Sequence, residues 1–442
     1  MNGNFYIIYK FHFVFCVKGE CGMIKKILIL MAVLSCISLI NAGDVDIYGN
    51  LGLASWWMRS SKMHVGTIDT NSNGELIIEK DSLPLNTTLM KPCGILGFKF
   101  KGDRFGGCVE MRAQMNLYDS RLSGSPTYMP YYKKNNFFML IEKFYGEWYL
   151  NDYFTVLFGQ DYAPTNFFPS NQGYDGGRGL HNVGCLYTGA YPMFQIAVHS
   201  ENKLIEGKFS IVKVDTSVIE YFNELSHAVH YHCETDLPKF EGSFAVNLDK
   251  EVFGLNVKVA GGIQRYKTVA FKKQILAKDA RIPILSYVAG SDLSVRVGPV
   301  TLSWDVFYGQ NIGVYGVKVG YEYGWWRLDD YMRPYYPVHL QVEDENFVVV
   351  DTTLDNSRAF ETAVILNVTP LEWLSLELGG GLINGKHENK DWDKNWKNVY
   401  AAYFQPEIRV FDQLKFTPEG GIYVYGPYRG FVYWGMNTII GF

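Results

Sequence analysis

The sequence predicts an all-β fold: a transmembrane antiparallel β-barrel of about 16 strands, with about 18 as the alternative count. Three observations carry this. Apolar residues recur at every second position along most of the chain. Short and long connections alternate between those segments. An export leader precedes a chain that holds no further apolar run of spanning length.

The leader is the first element. "MIKKILILMAVLSCISLINA", residues 23–42, has Lys25 and Lys26, an apolar stretch from Ile27 to Leu34, and smaller residues ending at Ala42. That is the layout of a secretory signal peptide. Its apolar part is too short for a membrane anchor, which needs about 20 apolar residues. Cleavage after Ala42 leaves 442 − 42 = 400 residues. A lipoprotein site at Cys36 is the rival, but strand-like sequence begins directly after Ala42 and leaves little room for a tether. Residues 1–22 are expected to be an extension upstream of a true start at Met23, and residues 43–442 a single barrel domain.

Period two then runs along the chain. In "CVEMRAQMNLY", Glu110, Arg112, Gln114 and Asn116 alternate with Val109, Met111, Ala113, Met115 and Leu117. A strand puts the polar set on one face, whereas a helix would scatter the apolar set. The same pattern gives Val45, Ile47, Leu51 and Leu53 against Asp46, Tyr48 and Asn50, and Phe404, Ile408 and Val410 against Gln405, Glu407 and Arg409. Strands are expected near 45–58, 94–102, 106–118, 137–150, 153–161, 183–190, 192–200, 239–248, 251–267, 283–297, 300–312, 358–368, 372–385, 398–411, 413–426 and 430–442. Residues 204–214 and 312–326 are the two further candidates. Tight turns fall at Asn151–Asp152, Asp249–Lys250, Gly298–Pro299, 369–372 and 411–413; long stretches cover 60–93, 119–136, 201–238 and 325–357. Aromatic residues crowd the strand ends (Trp56, Trp57, Trp148, Tyr149, Tyr153, Tyr425, Tyr433, Trp434), where an interfacial girdle belongs. A soluble sandwich explains the alternation but neither the girdle nor the two loop classes.

Composition narrows the function classes. Net charge is −4, so nothing suggests a nucleic-acid partner. Mean hydropathy is −0.06, which fits a wall that is half lipid-facing and half wet. Four cysteines follow Ala42, namely Cys93, Cys108, Cys185 and Cys233; they form no CxxC, and the choice between disulfides and free thiols stays open. "HAVHYHC", with His227, His230, His232 and Cys233, has no second ligand pair and reads as loop polarity, so no metal or cofactor is expected.

The final strand, with its stripe of Val432, Trp434, Met436, Thr438, Ile440 and terminal Phe442, resembles the signal by which the barrel-assembly machinery of Gram-negative bacteria recognises outer-membrane proteins. "DIYGNLGL", "ILGFKFKGDRFGGCVEMR", "GEWYLNDYFTVLFGQDYAP" and "NVGCLYTGAYPMFQIAV" resemble, in order, the opening strands of the general trimeric porins. The likeness covers roughly the first 160 residues after the leader and the last strand. It implies an outer-membrane channel for passive diffusion of small hydrophilic solutes and ions, lipid around it, and a homotrimer. It also implies that residues 162–182 form a loop folded into the pore, with Asp175 and Arg178 on the loop and Lys99, Arg112 and Lys143 on the wall, where Glu110 and Glu147 share the lumen. Gly173, Gly176, Gly177 and Gly179 would let that loop turn sharply. Opposed charges at the narrowest point would orient dipolar solutes.

Three alternatives compete. Tyrosine-rich stretches at 128–132 and 331–337 could stack on sugar rings in a substrate-selective channel. Long loops permit a surface adhesin. An enzyme is set aside, because the chain has no GxSxG and no convincing Ser/His/Asp arrangement.

Overall fold

The computed structural model describes residues 44–60, 63–70, 76–83, 86–116, 136–167, 170–173, 183–186, 190–214, 231–235, 237–270, 281–315, 339–343, 346–351, 356–387, 398–425 and 429–442. The expected leader, residues 23–42, and the extension before it lie outside the described residues. The strands are β1 (Asp44–Ser60), β2 (Met63–Thr70), β3 (Leu76–Leu83), β4 (Asn86–Lys101), β5 (Phe105–Asn116), β6 (Asn136–Tyr149), β7 (Phe154–Tyr162), β8 (Ala190–His199), β9 (Ile205–Val212), β10 (Tyr231–Thr235) and β11 (Lys239–Asp249). They continue as β12 (Phe253–Ala270), β13 (Arg281–Val297), β14 (Val300–Gln310), β15 (His339–Glu343), β16 (Asn346–Asp351), β17 (Ser357–Leu371), β18 (Leu374–His387), β19 (Asn398–Phe411), β20 (Leu414–Tyr425) and β21 (Arg429–Gly441).

Sixteen of these close on themselves. β1 pairs with β4 on one side and β21 on the other, and each remaining barrel strand pairs antiparallel with its neighbours in chain order. β10 adds a five-residue pairing against β12, while β2–β3 and β15–β16 are separate hairpins within long connections. Closure answers a physical demand, since an open edge in lipid would leave a row of unpaired backbone groups. The seam is sealed to the last residue: Gly49 and Phe442 exchange both backbone hydrogen bonds at 3.0 Å.

Alternation dictates what each strand shows to either side. Along β17, Phe360, Val364 and Leu366 are exposed, and Ala359, Glu361, Ala363 and Ile365 are buried. On β21 the apolar stripe Val432, Trp434, Met436, Ile440 and Phe442 is exposed, while Tyr433 and Asn437 turn inward. An exposed apolar outer face with a polar inner one is the surface of a protein whose outside solvent is lipid.

The strand count agrees with the sequence expectation through two compensating differences. Of the strand expected at 183–190, residues 183–186 are not strand and Ala190 opens β8; Val183, Cys185 and Leu186 are buried inside the lumen. β9, expected only as a candidate, is a barrel strand, with Ile205, Phe209 and Ile211 outward and Ser210 and Val212 inward. A tight turn at 200–204 feeds it, with Lys203 at φ 54°. The long stretch expected from 201 therefore begins only after β9. The girdle is also thinner than expected: Trp57 and Trp434 pack together at 6.1 Å, but Trp56 and Tyr433 are buried inside, because neighbours on a pleated strand cannot share a face. His232 and Cys233 lie in β10 rather than in a loop. Cys108 and Cys185 are free thiols.

Candidate functional site

The connection from β7 to β8 leaves the wall and folds into the lumen. Its first turn is fixed at β11, where Thr165 donates from N (3.1 Å) and Oγ1 (2.6 Å) to Glu241 Oε2. Glu241 in turn pairs with Lys239 at 2.8 Å, both side chains being 0% exposed. The Lys239 ammonium lies 5.0 Å from the Tyr191 ring and 4.9 Å from the Tyr315 ring. Next, Lys258 Nζ donates to the Asn166 carbonyl at 3.1 Å and sits 4.3 Å from the Phe167 ring, which packs at 4.8 Å on Phe307.

The loop then reaches the far wall. Ser170 meets the Tyr403 hydroxyl. Asn171 donates through N and Nδ2 to the two oxygens of Glu377, each at 2.8 Å. Gln172 Nε2 donates to Tyr433 (2.6 Å) and Tyr423 (3.1 Å). Gly173 N donates to Glu419 (2.7 Å) and Gln405 (2.8 Å), and Asn437 Nδ2 donates back to the Gly173 carbonyl at 2.9 Å. The wall thus supplies acceptors to a segment that has no secondary structure of its own, as buried backbone donors require.

The return arm, Val183 to Leu186, lies on β14 and β17. Leu186 O accepts from Phe167 N at 3.1 Å. Gly184 has φ +82°, and a Cβ there would stand 2.1 Å from the Thr362 carbonyl. Glycine is demanded twice over, by conformation and by close approach. Asp305 and Glu361 lie beneath this arm, both wholly buried. Burial first, then the carboxylates of Asp305, Glu361 and Asp292, push the Cys185 thiol well above the usual thiol range.

On the opposite side, formed by β1, β4–β9 and their neighbours, Arg112 and Lys143 stay partly accessible, while Glu110 and Glu142 are buried. Arg112 meets Glu142 at 3.6 Å, and Lys143 meets Asp161 at 3.9 Å with side chains 24% and 21% exposed. Tyr162 donates to Glu142 at 2.9 Å, and Tyr48 to Glu110 at 2.8 Å. A bulge makes this possible. Glu110 pairs with Lys143 and Met111 with Ile141, so Glu142 is the extra residue. Two consecutive side chains, Glu142 and Lys143, therefore both find partners on this wall, where a regular strand would send one away.

The wall residues expected from the sequence are thus partly united. Arg112, Glu110 and Lys143 lie on adjacent strands, Glu110 directly opposite Lys143. Lys99 is lower, opposite Asp46 and two residues from the end of β4. Asp175 and Arg178, and Gly176, Gly177 and Gly179 with them, lie outside the described residues. Gly173 serves close approach rather than a turn, since a Cβ there would meet Asn437 Nδ2 at 2.2 Å; Gly184 is the loop glycine with positive φ among the described residues. Sequence reasoning missed Glu142, Asp161 and Glu241. Glu142 carries no signal, because a bulge is invisible to a count by twos; Glu241 could have been noticed as an inward carboxylate two residues from a lysine.

No protein-family model matches the chain, and no curated protein does. Solved structures do. The outer membrane channel DcaP of Acinetobacter baumannii is similar with a TM-score of 0.53 at 14% identity, over 90% of this chain and 97% of that one. OmpF of Salmonella typhi gives 0.49 at 10% identity, over 91% and 99%, and the anion-selective porin of Comamonas acidovorans 0.46 at 9%, over 90% and 99%. The likeness to DcaP, with the closed sixteen-strand barrel, defines the class: this is an outer-membrane porin fold. A barrel of this class, apolar outside, is a structure of the bacterial outer membrane.

Proposed function

We propose that the protein is a passive channel for small hydrophilic solutes and ions, working as a homotrimer in outer-membrane lipid. One observation carries this reading. The loop covers the lumen face from β11 round to β21, where Asp305 and Glu361 are 0% exposed, while the facing wall keeps Lys143 and Lys208 at 24% and 33%. A wet passage along the uncovered wall follows from that asymmetry, and a barrel of this size has room for it. Arg112, Glu110 and Lys143 form one side of the constriction in this reading, and Asp175 and Arg178 the other. Arg112, Lys143 and Lys208 each carry a carboxylate, so in this reading size and polarity select more than net charge does. The outward stripe ending in Ile440 and Phe442 would be the handle for the assembly machinery.

Planar-bilayer recording tests the reading. Purified protein should insert in conductance steps, with migration on a denaturing gel that changes on heating. Folded protein that never conducts would sink it.

A further inference from the structure

The short-turn end of the lumen holds a cavity of about 430 Å³ at the β1–β21 seam, lined by Tyr48, Asn50, Ile95, Glu110, Asp412 and Gln413. Its chemistry is specific. The Tyr48 ring lies over Gly97: a Cβ on that glycine would stand 2.2 Å from Cζ and 2.6 Å from both Cε atoms. One ring face therefore rests on the strand backbone, which leaves the other for the cavity. The hydroxyl donates to Glu110 Oε2 at 2.8 Å and holds both groups in place. Two carboxylates, Glu110 and Asp412, share the lining, and neither lysine nor arginine does. Of the basic groups nearby, Arg112 pairs with Glu142 at 3.6 Å and Lys143 with Asp161 at 3.9 Å, and Lys99, two residues along β4 from Gly97, lies outside the cavity lining.

An aromatic face beside two carboxylates, with no basic group in the lining, attracts a cation that is itself only weakly hydrated. We propose that this cavity is a binding site for organic cations in transit, meaning an ammonium or guanidinium carried by a small solute. The Tyr48 face takes the cation, Glu110 and Asp412 accept its N–H groups, and the amides of Asn50 and Gln413 accept what remains. The site deepens the channel reading and rests on it.

Arginine and citrulline test it, since they match in length and differ in charge. Arginine added to both sides of a bilayer holding the purified channel should reduce the current with saturation, and citrulline or glucose at equal concentration should not. Asp412→Asn, in an exposed turn, and Tyr48→Leu should each raise the half-blocking concentration about tenfold, the scale of one lost cation–π or charge-assisted contact. Equilibrium dialysis of arginine against the detergent-solubilised protein reads the same site without a current, and should give saturable binding that Asp412→Asn weakens. Equal effects of arginine and citrulline, stronger block by glucose, or variants identical to the wild type would overturn the proposal. Absence of conductance with saturable arginine binding would remove the channel reading and leave the site.

Discussion

Glu241→Gln isolates what holds the pore loop in place. Glutamine keeps the volume and one acceptor oxygen but removes the charge that Lys239 faces at 2.8 Å in a pair with 0% exposure. Breaking a buried pair from one side costs about 3–5 kcal/mol. The Tyr191 and Tyr315 rings, 5.0 and 4.9 Å away, return about 1–2 kcal/mol of that as cation–π attraction. The net penalty is then about 1–4 kcal/mol. The barrel ladder does not pass through this contact, so the least costly relief is to lift Thr165 and admit water to the ammonium. A penalty of that size shifts the docking equilibrium roughly 5- to 700-fold toward the lifted loop. Single-channel recording should show altered conductance and greater open-channel noise, while heat-dependent gel migration stays normal. Adding Lys239→Met removes the orphaned charge and should quiet the channel again. If the single variant matches the wild type in conductance and noise, or the double variant is noisier than the single, the buried pair does not anchor the loop.

Other expectations follow from separate parts of the molecule. Asp175→Asn should move the reversal potential away from cation preference; an unchanged value takes Asp175 out of the constriction. Gly184→Ala places a methyl 2.1 Å from the Thr362 carbonyl at φ +82°, so the return arm should detach without unfolding the barrel. Maleimide labelling reads this out: Cys185, buried and with its thiol pushed well up, should resist in the wild type and react in the variant. Continued protection in Gly184→Ala would show that the arm tolerates the methyl group. Mass spectrometry of outer-membrane material should find a mature start at Gly43 and no peptide from residues 2–18; recovery of such a peptide would end the start-site reading.

The barrel was legible because lipid imposes a one-dimensional code. Each strand must alternate, so Ile205, Phe209 and Ile211 announce a strand as clearly as Val432, Trp434 and Met436 do. The misplacement of residues 183–186 has the same root. Val183 and Cys185 alternate like strand residues, but their apolar side meets the Phe307 side of the lumen rather than lipid, and periodicity cannot tell one greasy partner from another.

Within the site, Glu110 and Arg112 are readable as inward charges by counting and Lys143 through the resemblance, yet their partners are not. Glu142 reaches Arg112 only because a bulge breaks the count. Glu241, Glu377 and Glu419 became loop anchors through contacts that span 76, 206 and 246 positions of sequence.

From the chain alone came the alternating faces and the even strand number, since each is local or enforced by the bilayer; the inward path of one loop came from the resemblance to porins. Only the folded cylinder decided which wall the loop lies on, which charges pair and where a cavity stays open. Those outcomes depend on side chains brought together across the lumen, and no local pattern encodes a distance across empty space.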